Sequence, residues 1–379
     1  MRNIFSEYLK NAPKMSKINY WDLPQSTCLE LNSIPKNIKL RGKSLTVKKL
    51  LSNFGKNHKI NKKISAIFFY RGIRKLPLKF PFSLDNINFV ELYSLMASEG
   101  SNNTEFRLHV PEDFFHDMFI NNLESLFSKN ILTYLHQKQE KGFLRSTAPA
   151  IIRYFIPIQD HIPKIILLNK DYSKRYLQIA FESEGSPIHV GSKRYISLKR
   201  NIDITKIVEN KLKYPEEKRI YAKQLEKDYP DLIKKILDNP PKLILGEHLL
   251  LKEYFKIDSN LNLECIRINK TSSGFGKITS RWALYIYADS INRFIDEINF
   301  IGAKKKALTQ KMRMVIGNRK QYFSFELMKK ISKKSLINSS DFVREMKKLG
   351  YVSPRAYISR YLKKGILKKT GRGKYLIVN

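Results

Sequence analysis

Two stretches of this chain end alike. Leu92-Tyr-Ser-Leu-Met-Ala-Ser-Glu99-Gly100-Ser101 and Leu177-Gln-Ile-Ala-Phe-Glu-Ser-Glu184-Gly185-Ser186 each close an apolar run of helical spacing. Their glutamates stand 85 residues apart (184 − 99). The first run reads as a helix starting near Asp85, a good N-cap, with Leu84, Ile87, Val90, Leu92, Leu95 and Met96 as its stripe and Gly100 as its stop. A strand over Thr104–Val110, a helix from about Pro111 to Ser128 and strand-like stretches within 131–160 follow. After the second run come PIHV and RYISLKR as strands, a charged helical insert at 203–240 and a helix near 243–255. LNLECIRINK and RWALYIYAD then read as strands, and SINRFIDEINF as a last helix. The order helix, two strands, helix, two strands, helix thus occurs twice, so the chain predicts an internal repeat of α+β units.

A glutamate at the C-terminal end of a helix stands against the helix dipole, which favours cations there. One such residue, read singly, is an ordinary exposed helix end followed by a cap glycine. Two in matching contexts point to a purpose beyond stability. If the helices pack side by side, both carboxylates converge, and two like charges in one place need a cation. An all-oxygen site with few protein ligands suits Mg²⁺ or Mn²⁺. Glu99 and Glu184, with the following Gly100 and Gly185, are therefore the candidate metal site, and the glutamates the candidate catalytic acids.

The charge balance says what such a site would act on. Lys and Arg number 71 against 34 Asp and Glu, a formal net charge of +37. Self-repulsion of that size in a folded chain is relieved by a polyanion, and phosphate backbones release counterions to Lys and Arg. Part of the lysine follows from a composition rich in Lys, Asn and Ile. Two cysteines, Cys28 and Cys265, permit neither a disulfide framework nor a four-cysteine zinc site, so an intracellular, reducing location is expected. No apolar run approaches membrane-spanning length, so no membrane partner is expected.

The paired segments resemble the two diverged motifs of the LAGLIDADG (dodecapeptide) homing endonucleases, and the resemblance extends over roughly residues 77–312. Ile162-Pro163, Arg281-Trp-Ala-Leu-Tyr-Ile-Tyr and Phe294-Ile-Asp-Glu-Ile are similar to family segments as well. The resemblance implies two αββαββα repeats whose motif helices share a central interface and whose antiparallel saddle sheets lie in the DNA major groove. It implies that Glu99 and Glu184 hold the divalent metals. It also implies a basic residue after the last helix, and Phe300-Ile-Gly-Ala-Lys304 makes Lys304 the third catalytic candidate. Ser94 is the small residue expected early in the first motif helix; Ile179 takes that place in the second.

On the saddle strands, Arg194, Ser197, Lys199 and Arg267 are the candidate DNA contacts. Residues 313–379 read as three helices and a basic hairpin, a winged helix-turn-helix. Its recognition helix, Ser353–Lys363, carries Arg355 and Arg360, and Lys368, Lys369, Arg372 and Lys374 form the wing. Residues 1–76 read as a basic, partly helical region in which 44–72 form a helical pair, either a helix-turn-helix or a packing hairpin. The divisions expected are 1–76, 77–170 for the first repeat, 171–312 for the second and 313–379. GFGKIT at 274–279 lacks the full phosphate-loop pattern, and the seven histidines show no metal spacing.

The function expected is a monomeric, metal-dependent endonuclease that hydrolyses both strands of duplex DNA at a long asymmetric site. A DNA-binding regulator that has lost cleavage is one alternative. A maturase, with intron RNA as partner, is the other.

Overall fold

A computed structural model describes residues 4–33, 44–69, 74–101, 105–127, 134–137, 144–156, 160–190, 193–208, 219–271, 274–287, 289–317, 327–332, 336–348, 354–363 and 365–378. Thr104, Ser128 and Ser353, at ends of expected elements, lie outside them.

The centre is a pair of helices, Ile87–Glu99 and Lys170–Glu184. Phe89, Val90, Leu92, Tyr93, Ser94, Leu95 and Met96 of the first are all buried, so its middle is covered on every side. Asn86 caps it, one residue later than Asp85, with its side chain accepting from the Asn88 N–H. Contacts between the two helices follow one order along both. Tyr172 donates to Asp85 at 3.0 Å, Arg175 pairs with Glu91, and the Ser94 hydroxyl donates to the Tyr176 carbonyl at 2.8 Å. The helices therefore run side by side in the same sense. A hydroxyl on a neighbouring backbone carbonyl requires close approach, and Ser94 permits it. Ile179, in the matching place of the second helix, is simply buried.

Each helix passes straight into a strand. Gly100 and Gly185 sit at φ −87° and −85°, extended rather than left-handed, and each opens the following strand. They are not the left-handed stop expected of Gly100. A Cβ on Gly100 would lie 2.7 Å from the Met96 carbonyl oxygen, and one on Gly185 only 2.3 Å from that of Phe181. Close approach to the last helical turn, not a positive φ, calls for glycine here.

The strand order shows the repeat. In the first unit the strands Gly100–Ser101, Phe106–Val110, Leu144–Ala148 and Tyr134–Gln137 lie side by side in that order. In the second the order is Gly185–Val190, Lys193–Asp203, Gly274–Tyr287, Ser259–Thr271. Both are antiparallel and read first, second, fourth, third in chain order. Each has a helix between its second and third strands, Asp113–Leu126 and Lys242–Phe255. The second unit closes with the helices Asp289–Glu297 and Ala303–Gly317; among the described residues the first is followed by a 3-10 turn, Ala150–Tyr154, and a short helix, Lys164–Leu167. The insert adds helices and an edge strand, Arg219–Tyr221, which extends the second sheet to five strands. GFGKIT lies at the opening of the long strand Gly274–Tyr287.

The N-terminal region is not a helix-turn-helix. Helices Val47–Phe54 and His58–Asn61 flank the expected break at Gly55, but the second is one turn long and a strand, Ile64–Phe69, takes over the rest of the expected helical pair. ISAIFF is β-branched and aromatic, and it pairs with Cys28–Leu31 on one side and Arg74–Pro77 on the other in a four-stranded sheet. Strand Lys17–Ile18 pairs with Phe82–Ser83 at the entrance to the first central helix, and this region shares one core with both repeats.

The C-terminal module has its own core of Met328, Ile337, Phe342, Met346, Ile358, Leu367 and Ile377. Helices Ser339–Lys348 and Pro354–Lys363 precede the hairpin Leu367–Gly371 and Lys374–Ile377. A short strand, Leu336–Asn338, completes a three-stranded sheet. Helix Ala303–Gly317 runs across position 312, so the break before this module falls after Gly317.

Enlarging Ser94 tests the close approach. Ser94→Leu should destabilise the protein by about 2–4 kcal/mol through overpacking, against roughly 1 kcal/mol for Ser94→Ala, which removes only the hydrogen bond. Urea unfolding of the two variants checks this.

Candidate active site and nucleic-acid surfaces

Because the central helices run in the same sense, their C-terminal ends bring Glu99 and Glu184 together. Both carboxyls are half-buried and both are held above the ordinary carboxylate range. For Glu99 the causes are burial, then the charge of Glu184, and the group is pushed up to about 7. Burial also raises Glu184, against the opposing pull of Arg200. Two carboxylates in electrostatic contact, out of reach of full hydration, resist ionising together.

Two cations stand beside them. Arg200 is on strand Lys193–Asp203, on the core-facing side with Ile196 and Leu198. Its guanidinium pairs with Glu247 of helix Lys242–Phe255 and donates to the Ser98 hydroxyl at 3.1 Å. Glu247 is fully buried and also accepts from the Tyr176 hydroxyl at 3.0 Å. A buried ion pair thus links the second sheet, the helix behind it and the residue before Glu99.

The second cation is Lys305, not Lys304. Lys304 is exposed on helix Ala303–Gly317, whereas Lys305 turns inward among Glu182, Glu112, Glu99 and Glu184. Burial holds its ammonium below the usual lysine range, against the pull of those carboxylates. One position along a helix turns a side chain by about 100°, which separates the two lysines. Glu182 fixes Lys305 in place. Its carboxylate accepts from the backbone N–H groups of Ile301 at 2.7 Å and Gly302 at 2.9 Å, at the entrance to the helix, and its carbonyl accepts from Lys305. No group of three or more His, Cys, Asp or Glu is close enough to hold a metal among the described residues, so the acidic donors here are a pair.

The saddle candidates divide by strand parity. Lys199 lies on the outer face and pairs with Glu264 at 3.0 Å, which also contacts Arg281 at 3.3 Å and accepts from Tyr285. Arg267 lies across from Thr279 on the same face. Ser197, also on that face, is 1% exposed and covered, so it does not present its hydroxyl to a ligand. Arg194 has the parity of the core side and is half-buried. Tyr195, Tyr285 and Tyr287 form an aromatic cluster on the outer face, with Tyr195 and Tyr285 centroids 5.3 Å apart. The first sheet adds Arg107, His109 and Arg145 opposite its buried Phe106, Leu108 and Val110. These were missed in the sequence, although the alternation in FRLHV marks Arg107 and His109 as one face. In the C-terminal module Arg355, Arg360, Lys368, Lys369, Arg372 and Lys374 are all exposed.

No family model and no curated protein matches the chain. Among solved structures it is similar to the full-length DUF199/WhiA protein from Thermatoga maritima, at 14% identity over 66% of this chain and 69% of that one, with a TM-score of 0.35. It is similar to I-DmoI in complex with DNA and Mn, at 12% identity over 56% of this chain and 97% of that one, TM-score 0.31. The homing endonuclease I-WcaI bound to its DNA recognition sequence gives 10% identity over 59% and 85%, TM-score 0.32.

The raised pKa of Glu99 sets a pH signature. The unfolded chain ionises this group near 4.5 and the folded one near 7, so the folded state binds the extra proton between those values. Stability therefore falls as pH rises through that window and levels above it. Glu99→Gln removes the effect. The variant should exceed the parent by about 1–2 kcal/mol at pH 8, a figure discounted for solvent screening, and match it near pH 4. Thermal unfolding at the two pH values measures this. Paired central helices and a doubly repeated strand order make this an α+β chain of two similar units with antiparallel sheets.

Proposed function

We propose that the protein is a metal-dependent endonuclease acting on duplex DNA at a long asymmetric site. The observation that carries this reading is the convergence of Glu99 and Glu184 at one end of the central helix pair, both resisting ionisation. A pair of carboxylates left in this state is an energetic cost that a divalent cation would remove. The donor set fits Mg²⁺ or Mn²⁺: all oxygen, two carboxylates, with the carbonyls of Gly100 and Gly185 beside them. A bound ion would supply a water of lowered pKa and stabilise the leaving oxygen.

The chain's own residues do the rest. Glu99 and Glu184 hold and orient the ion from two different repeats. Lys305, aimed by Glu182, offers a positive charge to the scissile phosphate. Arg200 keeps the Ser98–Glu99 segment fixed to the second repeat. The outer faces, with Arg107 and Arg145 on one sheet and Lys199, Arg267 and Arg281 on the other, would follow base edges and phosphates. One sheet has five strands and the other four, which suits unequal half-sites. The winged helix adds backbone contacts.

A second reading, a DNA-binding regulator without cleavage, is favoured by one observation. Arg200 and Lys305 already place positive charge beside both carboxylates, so the pair can persist without a metal.

Purified protein incubated with a randomised duplex library and Mg²⁺ separates the two. A nuclease cuts, leaves 5′ phosphates, and loses cutting in Glu99→Gln and Glu184→Gln while retaining binding. Its Mg²⁺ affinity, and so its rate at limiting Mg²⁺, should fall as pH drops below about 7, as Glu99 of the metal-free protein takes up a proton that the cation must displace. Specific retention of duplexes without any cutting establishes the regulator. Retention of structured RNA alone establishes neither.

A further inference from the structure

Between Glu30 and Asp85 the chain carries no acidic residue, while it carries fourteen Lys or Arg. Much of this charge falls on the helical layer of the N-terminal region. Val47 and Leu50 of helix Val47–Phe54, and Ile60 of His58–Asn61, join the core that holds Leu29, Leu31 and Ile67 of the sheet. The outward side of the same helices exposes Lys48, Lys49, Ser52 and Asn53, then Lys56, His58, Lys59 and Lys62. None of these five lysines has an ion-pair partner among the described residues. By contrast Lys75, on the neighbouring strand, is paired with Glu30. The helices are well made for a fixed display. Thr46 caps one, accepting from the Lys49 N–H, and Asn57 caps the other, accepting from Lys59 and Ile60. Trp21 packs edge-on against His58 with centroids 5.0 Å apart, joining the layer to the 3-10 turn Tyr20–Asp22. Tyr8 ties this region to the second repeat through Lys242 and Ile162, so it is not a loose tail.

We infer that this lysine face is a third duplex-DNA-binding surface, separate from the saddle and the wing, that contacts the phosphate backbone. It rests on the reading of duplex DNA as the partner. Like charges held on one folded face, with no carboxylate to relieve them, repel one another until a polyanion arrives. Lysine is a hydrated point charge on a flexible stem, suited to phosphates and indifferent to sequence, whereas base readout calls for the fork of arginine. The five exposed charges here are all lysine. The surface therefore adds affinity and salt dependence without adding specificity.

The test compares three variants by the salt dependence of binding to a long duplex. Lys48, Lys49, Lys59 and Lys62 are changed together to Gln in the first. Lys223, Lys227, Lys234 and Lys235, exposed on the insert among acidic neighbours, are changed to Gln in the second, which removes the same charge elsewhere. Lys368, Lys369 and Lys374 of the wing are changed in the third. Each phosphate that a variant no longer neutralises should flatten the slope of log affinity against log salt by about 0.9. The first variant should flatten the slope by about 2–4, as a similar number of phosphates go unneutralised, and weaken specific and non-specific duplexes alike. The insert variant should leave the slope near that of the parent. An unchanged slope in the first variant, a slope equal to that of the insert variant, or a weakening confined to RNA would overturn the proposal. Failure of the parent itself to bind duplex DNA would instead remove the reading beneath it, and duplex binding retained by the wing variant shows that the parent's affinity does not come from the wing alone.

Discussion

Everything in the two repeats depends on how closely the two central helices approach. Neither carries the chemistry alone. Each ends in one carboxylate, and only packing along their whole length brings those ends together. The Ser94 hydroxyl on the Tyr176 carbonyl sets the spacing, and Arg175 with Glu91 sets the relative slide. Because the middle of helix Ile87–Glu99, Leu92–Met96, is buried without a break, a shift of either helix would disturb the core around it. The same packing that stabilises the protein thus opposes a natural separation of two like charges.

That opposition is answered by groups arriving from elsewhere in the chain. Arg200 comes from the second sheet, Glu247 from the helix behind it and Lys305 from the closing helix. Removing one partner of a buried pair is far more disruptive than never having had the pair, so Arg200 and Glu247 stand or fall together. Glu182 has a similar dual position: it lies in the second motif helix, yet its carboxylate receives the start of the closing helix.

The central helices, each ending at a glutamate, were legible because the signal occurs twice in matching context, and the C-terminal helices and hairpin because their apolar spacing and basic turn are local. Other features depend on residues far apart in sequence. Arg200 and Glu247 are 47 positions apart, across the insert, and no spacing rule joins them. Lys304 and Lys305 are adjacent, and only the rotation of the helix distinguishes them. Ser197 reads as an outward polar residue by alternation, but its neighbours on the curved sheet cover it. In ISAIFF the helical and strand patterns overlap over six residues, and pairing on both sides decided for the strand. The third strand of the C-terminal sheet, Leu336–Asn338, is too short to carry a period.

Glu99 and Gly100 are joined by one peptide bond, and so are Glu184 and Gly185, with each glycine already the first residue of a sheet. The acid and the sheet that follows it are thus carried on one continuous piece of backbone in each unit. Neither carboxylate can shift along its sheet without moving the first strand with it. Side chains farther out on the strands can change without changing where the two acids stand relative to the sheets.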